Sequence, residues 1–458
     1  MQATNIVILA AGNGSRMKSD LPKVLHQVAG QAMVDWVIDA VQPLKPNKIL
    51  TVTGVGAERV QDHLAGKTDF VIQEKQLGTG HAVLQTKAAL ADSQGATLIL
   101  SGDTPLFTTE TLQALLNEHS RTKNAVTVLT AKADNPTGYG RIVRGDDGMV
   151  LKIVEEKDAS VTERRIEEIN TGVYIFDNQL LFQALSQVGN DNVQQEYYLP
   201  DTLDILRGMG KQIGAYQTLD FSESMGVNDR VALAQANQIM RNRINQMHMK
   251  NGVELVAPDQ TFIDAGVVIG KDTLIEGNVT LKGQTVIGRD NVLTAGTRIE
   301  DSTIGDGNVI TSSHLEEAVV KDRTTIGPYA HLRPAAEIMD EAHLGNFVEV
   351  KKATIGQGSK VGHLSYVGNA KLGADVNVGA GTIFVNYDGV NKFDTTVGDR
   401  VFIGSNTKII APVTLADESI TAAGSTITDD VATHAMGIAR TRQTNKADFW
   451  DRMPHKKG

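Results

Sequence analysis

The sequence predicts a chain in two unlike parts: an N-terminal α/β domain with a Rossmann-like, mostly parallel mixed sheet, and a C-terminal parallel β-helix of hexapeptide repeats. Three observations carry this. Aliphatic residues return every six positions from about Ile263 to Ile427. Apolar strand candidates alternate with helical patterns in the first half, which is the signature of a parallel α/β sheet. A glycine-rich loop follows the first strand candidate directly.

Residues 4–10, TNIVILA, read as a fully apolar first strand, and Ala11-Gly12-Asn13-Gly14-Ser15-Arg16-Met17 as the loop after it. Further strands are expected at Leu50 to Thr53, Phe70 to Ile72, Leu98 to Leu100 and Ala125 to Leu129, with helices such as Met33 to Val41 and Thr109 to Glu118 between them. Residues 138–176 break this rhythm with shorter elements. A helix from about Asp229 to Met249 connects to the repeats. The expected boundaries are 1–229 for the α/β domain, 230–250 for the connector and 251–458 for the β-helix.

The repeat is clearest in Ile263, Ile269, Ile275, Leu281, Ile287, Leu293 and Ile299. It recurs in Val320, Ile326, Leu332, Ile338, Leu344 and Val350, and in Val397, Ile403, Ile409 and Leu415. A period of six fits neither helix nor alternating strand. It fits short strands joined by tight corners, three sextets to a triangular coil, with the aliphatic side chain inside. The phase slips near Ser302 and Ser312, where small protruding loops are expected. Asn386 to Lys392 interrupts the sextets and should form a larger loop. After Ile427 the repeat is lost and the tail turns polar.

Among the 458 residues, 21% are charged and 41% hydrophobic, which is ordinary for a globular protein. The net charge of −10 disfavours a general nucleic-acid binder, so anionic substrates need local basic pockets. The absence of cysteine excludes disulfides, thiolate metal sites and a cysteine nucleophile. The opening MQATNIVILAAG lacks a basic n-region, and no apolar run approaches the ~18 residues of a membrane span. The expectation is a cytoplasmic protein with no membrane partner.

Glycines let a backbone approach phosphate, and exposed N–H groups at a helix start attract anions. The AAGNGSRM loop is followed by Leu21-Pro22-Lys23, which adds a cation, and later by QEKQLGTGHA from Gln73 and SGDTPL from Ser101. Asp103 lies just beyond the carboxyl end of an apolar strand, where α/β folds place ligands; standing alone, it would read first as a turn or helix N-cap aspartate. In the repeats, Leu332-Arg333-Pro334, the stretch GNFVEVKK from Gly345 and the stretch GHLSYVG from Gly362 gather cations, a histidine and a tyrosine that sextet packing does not explain. Arg333 and Lys351 stand one three-sextet coil apart, so they should stack on one side.

Together these motifs resemble the sugar-1-phosphate nucleotidyltransferases. With QLGTGHA, PTGYGR, EINTG and GVNDR, the resemblance narrows over nearly the whole chain to the bifunctional bacterial family that is both UDP-N-acetylglucosamine pyrophosphorylase and glucosamine-1-phosphate N-acetyltransferase. The resemblance implies that Leu9, Ala10, Ala11 and Gly12 line the nucleotide, with Ser101 and Gly102 beside them. Gln73, Gly78 and Thr79 read the uracil side. Arg16 and Lys23 stabilise the triphosphate, Asp103 and Asn228 hold Mg2+, and Gly140, Glu155 and Asn170 hold the sugar. Glu155 by itself reads as part of a solvated charged stretch, and Asn228 as a helix cap. Asn13 stands where many relatives carry a basic residue, and Ser15 replaces a common threonine.

For the second half the resemblance implies His363 as general base, with Arg333, Lys351 and Lys392 on the sugar phosphate. Tyr366 and Asn377 orient the sugar. Ala380, Asn386, Tyr387, Ser405, Ala423 and Arg440 line acetyl-CoA, with Ser405 near the developing oxyanion. Phe384 stands where relatives usually carry a small polar residue, next to the expected thioester site, and Ala336 replaces a common glycine. The implied substrates are UTP, N-acetylglucosamine 1-phosphate, glucosamine 1-phosphate and acetyl-CoA. The implied assembly is a homotrimer, and the implied coiling is left-handed. Two rivals stay open on sequence: a single-activity nucleotidyltransferase with a regulatory β-helix, and a non-enzymatic regulatory subunit.

Overall fold

The computed structural model describes residues 3–146 and 148–454. It divides into two compact units, Met1–Arg241 and Asn242–Gly458.

In the first unit the parallel strands β1 (Thr4–Ala10), β2 (Lys48–Thr53), β3 (Asp69–Ile72) and β4 (Ala96–Ser101) lie with β1 between β2 and β4. Strand β5 (Val126–Lys132) is reached through β8 (Glu168–Asp177), which runs antiparallel to both β4 and β5 and makes the sheet mixed. The hairpin of β6 (Gly140–Arg144) and β7 (Val150–Val154) hangs on β8, and β9 (Ile213–Gln217) closes the edge beside β5. The apolar run of β1 is buried on both faces, as a central parallel strand requires. Ile6 and Ile8 pack with helices α1 (Met33–Val41) and α2 (Thr109–Thr122), while Val7 faces the other layer. Thr108 begins α2 by accepting from the Thr111 amide. The β1–β4 register sets Leu9 against Ser101, so the glycine loop and Asp103 open at the same sheet edge.

In the second unit successive coils give one short strand to each of three parallel sheets, and a strand pairs with the one three further on, except at the end, where Ile420–Thr421 pairs with Met436–Gly437 two strands on. One inward file runs Ile263, Leu281, Ile299, Leu315, Leu332, Val350, Val367, Phe384, Ile409, Ile427, all fully or almost fully buried. Corner amides are satisfied from coil to coil: Asn291 Oδ1 accepts from the Asn308 amide at 2.8 Å, and Asn308 Oδ1 from the Thr324 amide at 2.7 Å.

Three expectations are corrected. The slips near Ser302 and Ser312 are not protruding loops. Steps of five residues join Ile299 to Ile304 and Ile310 to Leu315, and the corners tighten at Asp301 and Ser312, with φ of 46° and 40°. Ser302 and Ser313 are buried there and bond the backbone, Ser302 Oγ to the Glu300 carbonyl at 2.8 Å. The stack does not end at Ile427: Met436–Gly437 adds a further strand on Ile420–Thr421. Phe384 does not face a ligand site; it fills the coil interior at 0% exposure, which is why a large apolar residue is accepted there.

Helix α3 (Arg230–Lys250) spans the division between the units. In its second half Ile244 and His248 are buried, and the Asn245 amide nitrogen donates to the carbonyls of Pro258 (2.8 Å) and Thr261 (3.1 Å) in the first coil. Among the described residues no helix is long and apolar enough to cross a membrane.

Removing the Phe384 ring leaves a cavity that rigid neighbouring coils cannot close. Phe384→Ala should destabilise the β-helix by about 3–5 kcal/mol, read as a lowered second transition in scanning calorimetry with the first unit's transition in place.

Candidate active sites

The loop after β1 and the loop after β4 frame a cleft of about 390 Å3 lined by Leu9, Ala10, Ala11, Gly12, Asn13, Lys23, Gln73, Gly78, Thr79, Ser101 and Asp103. Expected nucleotide residues therefore meet in one place. Gly102 sits between two of them, its amide bonded to the Leu9 carbonyl at 2.9 Å. Lys23 Nζ pairs with Asp103 Oδ2 and also donates to Asn228 Oδ1 at 2.6 Å. Arg16 donates to that same Asn228 oxygen at 2.8 Å. Residues 16, 23, 103 and 228 are thus brought together from four separate segments.

The QLGTGHA segment is held rigidly. Gln73, buried, donates from its amide nitrogen to the Gly78 carbonyl at 3.1 Å and lies 3.0 Å from His81 Nδ1. Gly78 has φ of 108°, and a Cβ there would fall 2.6 Å from the Tyr197 carbonyl oxygen, so only glycine fits. Thr79 Oγ1 accepts from the Leu199 amide at 3.1 Å. The segment at 196–199 clamps this loop, and Glu196 lines the cleft with Gln76. Sequence reading quoted the motif that contains Gln76 without assigning it to the site, and missed Glu196 altogether, because no local pattern marks a clamp that lies more than a hundred residues away.

The sugar trio also converges. Gly140 and Asn170 are register partners, and a Cβ on Gly140 would lie 3.3 Å from Glu155 Oε1 and 3.5 Å from Asn170 Cβ. Asn170 donates to the Tyr174 hydroxyl at 2.6 Å. Burial pushes the Glu155 carboxyl upward, helped by Asp158 and Asp201. Glu155 is therefore not a solvated surface charge. Asp201 is pushed up to about 6, first by burial and then by Asp204 and Asp158.

On the β-helix, register builds a second site. His363 stands one rung above Asn346, and its Nδ1 lies 2.9 Å from Asn346 Oδ1. An amide oxygen only accepts, so His363 donates from Nδ1, leaving Nε2 outside this bond. A Cβ on Gly345 would fall 1.8 Å from the Gly362 carbonyl oxygen, so glycine lets the two coils close up here. By the strand register Ala380, Ser405 and Ala423 continue the file above His363 on successive coils. Arg440 lies at its top, with Cδ 3.8 Å from a Cβ built on Gly424.

The next face carries the cations. Arg333 lies one coil from Lys351, as the spacing predicts, and donates to Glu349 at 2.8 Å. The Lys351 ammonium is held below the usual lysine range by the charge of Arg333 first and then of Lys392 on the inserted loop. Tyr366 stacks one coil above Glu349 and lays its phenol over Gly368. Asn386 is tied to Asn369 at 2.8 Å, and Tyr387 bridges to Lys392 across the inserted loop. Asn377 is the outlier: it occupies the outward position between Lys360 and Phe402 on the preceding face. A separate groove of about 700 Å3, lined by Lys352, Thr354, Lys371 and Thr396, lies on the third face, away from His363.

Two family models match, a MobA-like NTP transferase domain over residues 6–165 and a bacterial transferase hexapeptide over residues 394–429. A protein from Lactobacillus delbrueckii subsp. bulgaricus, "Bifunctional protein GlmU", is 59% identical over 98% of this chain and 97% of its own. The chain belongs to the bifunctional GlmU family. GlmU proteins of Streptococcus suis and Streptococcus agalactiae are 56% and 54% identical, again over 98% of this chain. With these matches the fold is the GlmU pairing of an NTP transferase domain with a left-handed parallel β-helix of hexapeptide repeats.

Asp201 gives a pH signature. Its folded-state pKa lies above the ordinary 3.8, so the folded chain holds that proton more tightly and loses stability as pH rises from about 4 to about 6. Asp201→Asn should raise the first unit's melting midpoint at pH 7 to 8 and leave it unchanged below pH 4. Partial exposure keeps the gain under the roughly 3 kcal/mol of a fully buried group with that shift.

Proposed function

We propose that this GlmU-family chain makes UDP-N-acetylglucosamine in two steps. The β-helix transfers acetyl from acetyl-CoA to the amine of glucosamine 1-phosphate. The α/β unit then joins N-acetylglucosamine 1-phosphate to uridylate from UTP and releases pyrophosphate. The observation that carries this reading is the convergence of Arg16, Lys23, Asp103 and Asn228 at the mouth of the glycine-loop cleft, in a chain whose other unit bonds His363 to Asn346 and carries a cation cluster on the next face.

Uridylyl transfer needs position and charge neutralisation more than a protein nucleophile. A sugar-phosphate oxygen bonds to the α-phosphorus as the bond to the pyrophosphate oxygen breaks. Arg16 and Lys23 would take up the charge on the leaving pyrophosphate. The oxygens of Asp103 and Asn228 both point at one positive centre, the Lys23 ammonium. A hard oxygen pair of this kind suits Mg2+, which takes few protein ligands and completes its shell with phosphate and water. Asp103 and Asn228 would hold the ion, and bound there it would neutralise phosphate charge. Leu9, Ala10, Ala11, Gly12, Gln73, Gly78 and Thr79 would hold the nucleotide, and Gly140, Glu155 and Asn170 the sugar.

For acetyl transfer, His363 Nε2 would accept the amine proton as the nitrogen bonds to the thioester carbonyl carbon. The carbon–sulfur bond then breaks, and the thiolate takes a proton. Ser405 would donate to the carbonyl oxygen as it gains charge. Arg333, Lys351 and Lys392 would bind the phosphate by charge-assisted hydrogen bonds, and Tyr366 and Asn377 the sugar. Ala380, Asn386, Tyr387, Ala423 and Arg440 would line acetyl-CoA. We also propose a homotrimer, supported by the exposed aromatic pair Tyr329 and Phe347 at the corner beside Asn346, a surface that a second copy would cover. It would work in the cytoplasm, where UTP and acetyl-CoA are made.

The test is incubation with glucosamine 1-phosphate, acetyl-CoA, UTP and Mg2+, omitting each in turn. UDP-N-acetylglucosamine should form only in the full mixture. His363→Ala should lower acetyl transfer by ~10²–10⁴-fold and leave pyrophosphate release from UTP and N-acetylglucosamine 1-phosphate unchanged. Equal loss of both activities would overturn the assignment of the base.

A further inference from the structure

The geometry assigns to Arg230, which no motif role above uses, the task of positioning Arg16 and Lys23 for uridylyl transfer. This rests on the uridylyltransferase reading. Arg230 is the first residue of α3, whose opening turn holds no acidic residue. A cation at the positive end of a helix opposes the helix dipole, so helix formation does not explain it. Nor is it needed as a cap, because Asp229 Oδ1 already accepts from the amides of Val231 (3.0 Å) and Ala232 (2.9 Å).

What its guanidinium does is join two loops. Nε donates to the Met17 carbonyl at 3.2 Å, one residue after Arg16. A terminal nitrogen lies 3.3 Å from Nδ1 of buried His26, and a guanidinium can only donate, so that ring nitrogen accepts. The His26 amide in turn bonds the Lys23 carbonyl at 3.2 Å. Two residues earlier, Asn228 grips the side-chain ends of Arg16 and Lys23 themselves. The Asn228 bonds use groups that must turn to phosphate and metal during the reaction. The Arg230 bonds use a backbone carbonyl and an imidazole that take no part in it. Arg230 therefore keeps the two cation-bearing loops in register while the groups above it exchange partners. A displacement of about 1 Å in such groups costs up to ~10²-fold in rate.

The experiment uses the full-length protein and both activities. Arg230→Met should lower kcat for uridylyl transfer by ~10- to 100-fold with acetyl transfer unchanged. His26→Asn, which offers an amide oxygen near the Nδ1 position, should keep most of the activity, and His26→Leu should lose it. The Arg16→Met/Arg230→Met pair should be less than multiplicative, because Arg230 acts through Arg16. A lowered melting point with both activities falling together, or multiplicative losses in the double variant, would make Arg230 a plain structural residue and overturn the assignment. Unchanged kcat in Arg230→Met would do the same. Wild-type protein that releases no pyrophosphate at all would instead refute the uridylyltransferase reading beneath it.

Discussion

Parallel pairing of backbone strands fixes the frame from which the candidate site residues of both units emerge. In the first unit the β1–β4 register sets Leu9 beside Ser101, and from that pairing the glycine loop and Asp103 must emerge at one edge. In the second unit the pairing of each strand with the third one on turns a linear repeat into vertical files, so Asn346, His363, Ala380, Ser405 and Ala423 stand one above another. The coil pairing sets Asn346 opposite His363, and the side-chain bond between them aims the imidazole. The loops that carry the remaining groups start from this fixed frame, which suits chemistry that works by placing groups.

The two units solve charge in different ways. Around the cleft, cations and oxygens are paired at short range: Lys23 with Asp103 and Asn228, and Arg16 with Asn228. On the β-helix, Arg333, Lys351 and Lys392 stand close together with Glu349 as partial relief, and the Lys351 ammonium is depressed as a result. A crowded set of exposed cations is relieved by a dianionic phosphate group.

Much of the fold could be read from sequence because it repeats or alternates. The six-residue period announced the prism, and the apolar runs announced the sheet. What stayed hidden has physical causes. A five-residue step looks like a loss of phase, because only coordinates reveal that the strand pairing carries on across it, with Ile299 and Leu315 in one inward file. Phe384 looked like an intruder near a ligand because a side chain's inward or outward direction depends on a register that shifts with every shortened step. At Met436–Gly437 the residue in register with the inward Thr421 is a glycine, so no aliphatic marks the strand. In the sites, motif residues were legible, whereas the clamp on Gly78 and the tie from Arg230 to His26 join positions far apart in sequence. Asn377 was assigned by resemblance, and nothing in its own spacing told which face it would occupy.

The Asn245 amide bonded to the carbonyls of the first coil has a consequence beyond local stability. A stack of parallel strands ends in a row of unpaired peptide groups, and such a row invites another chain to add on. With the second half of α3 lying over that terminus, fibrillar growth from this end is blocked by a lid that the chain itself carries.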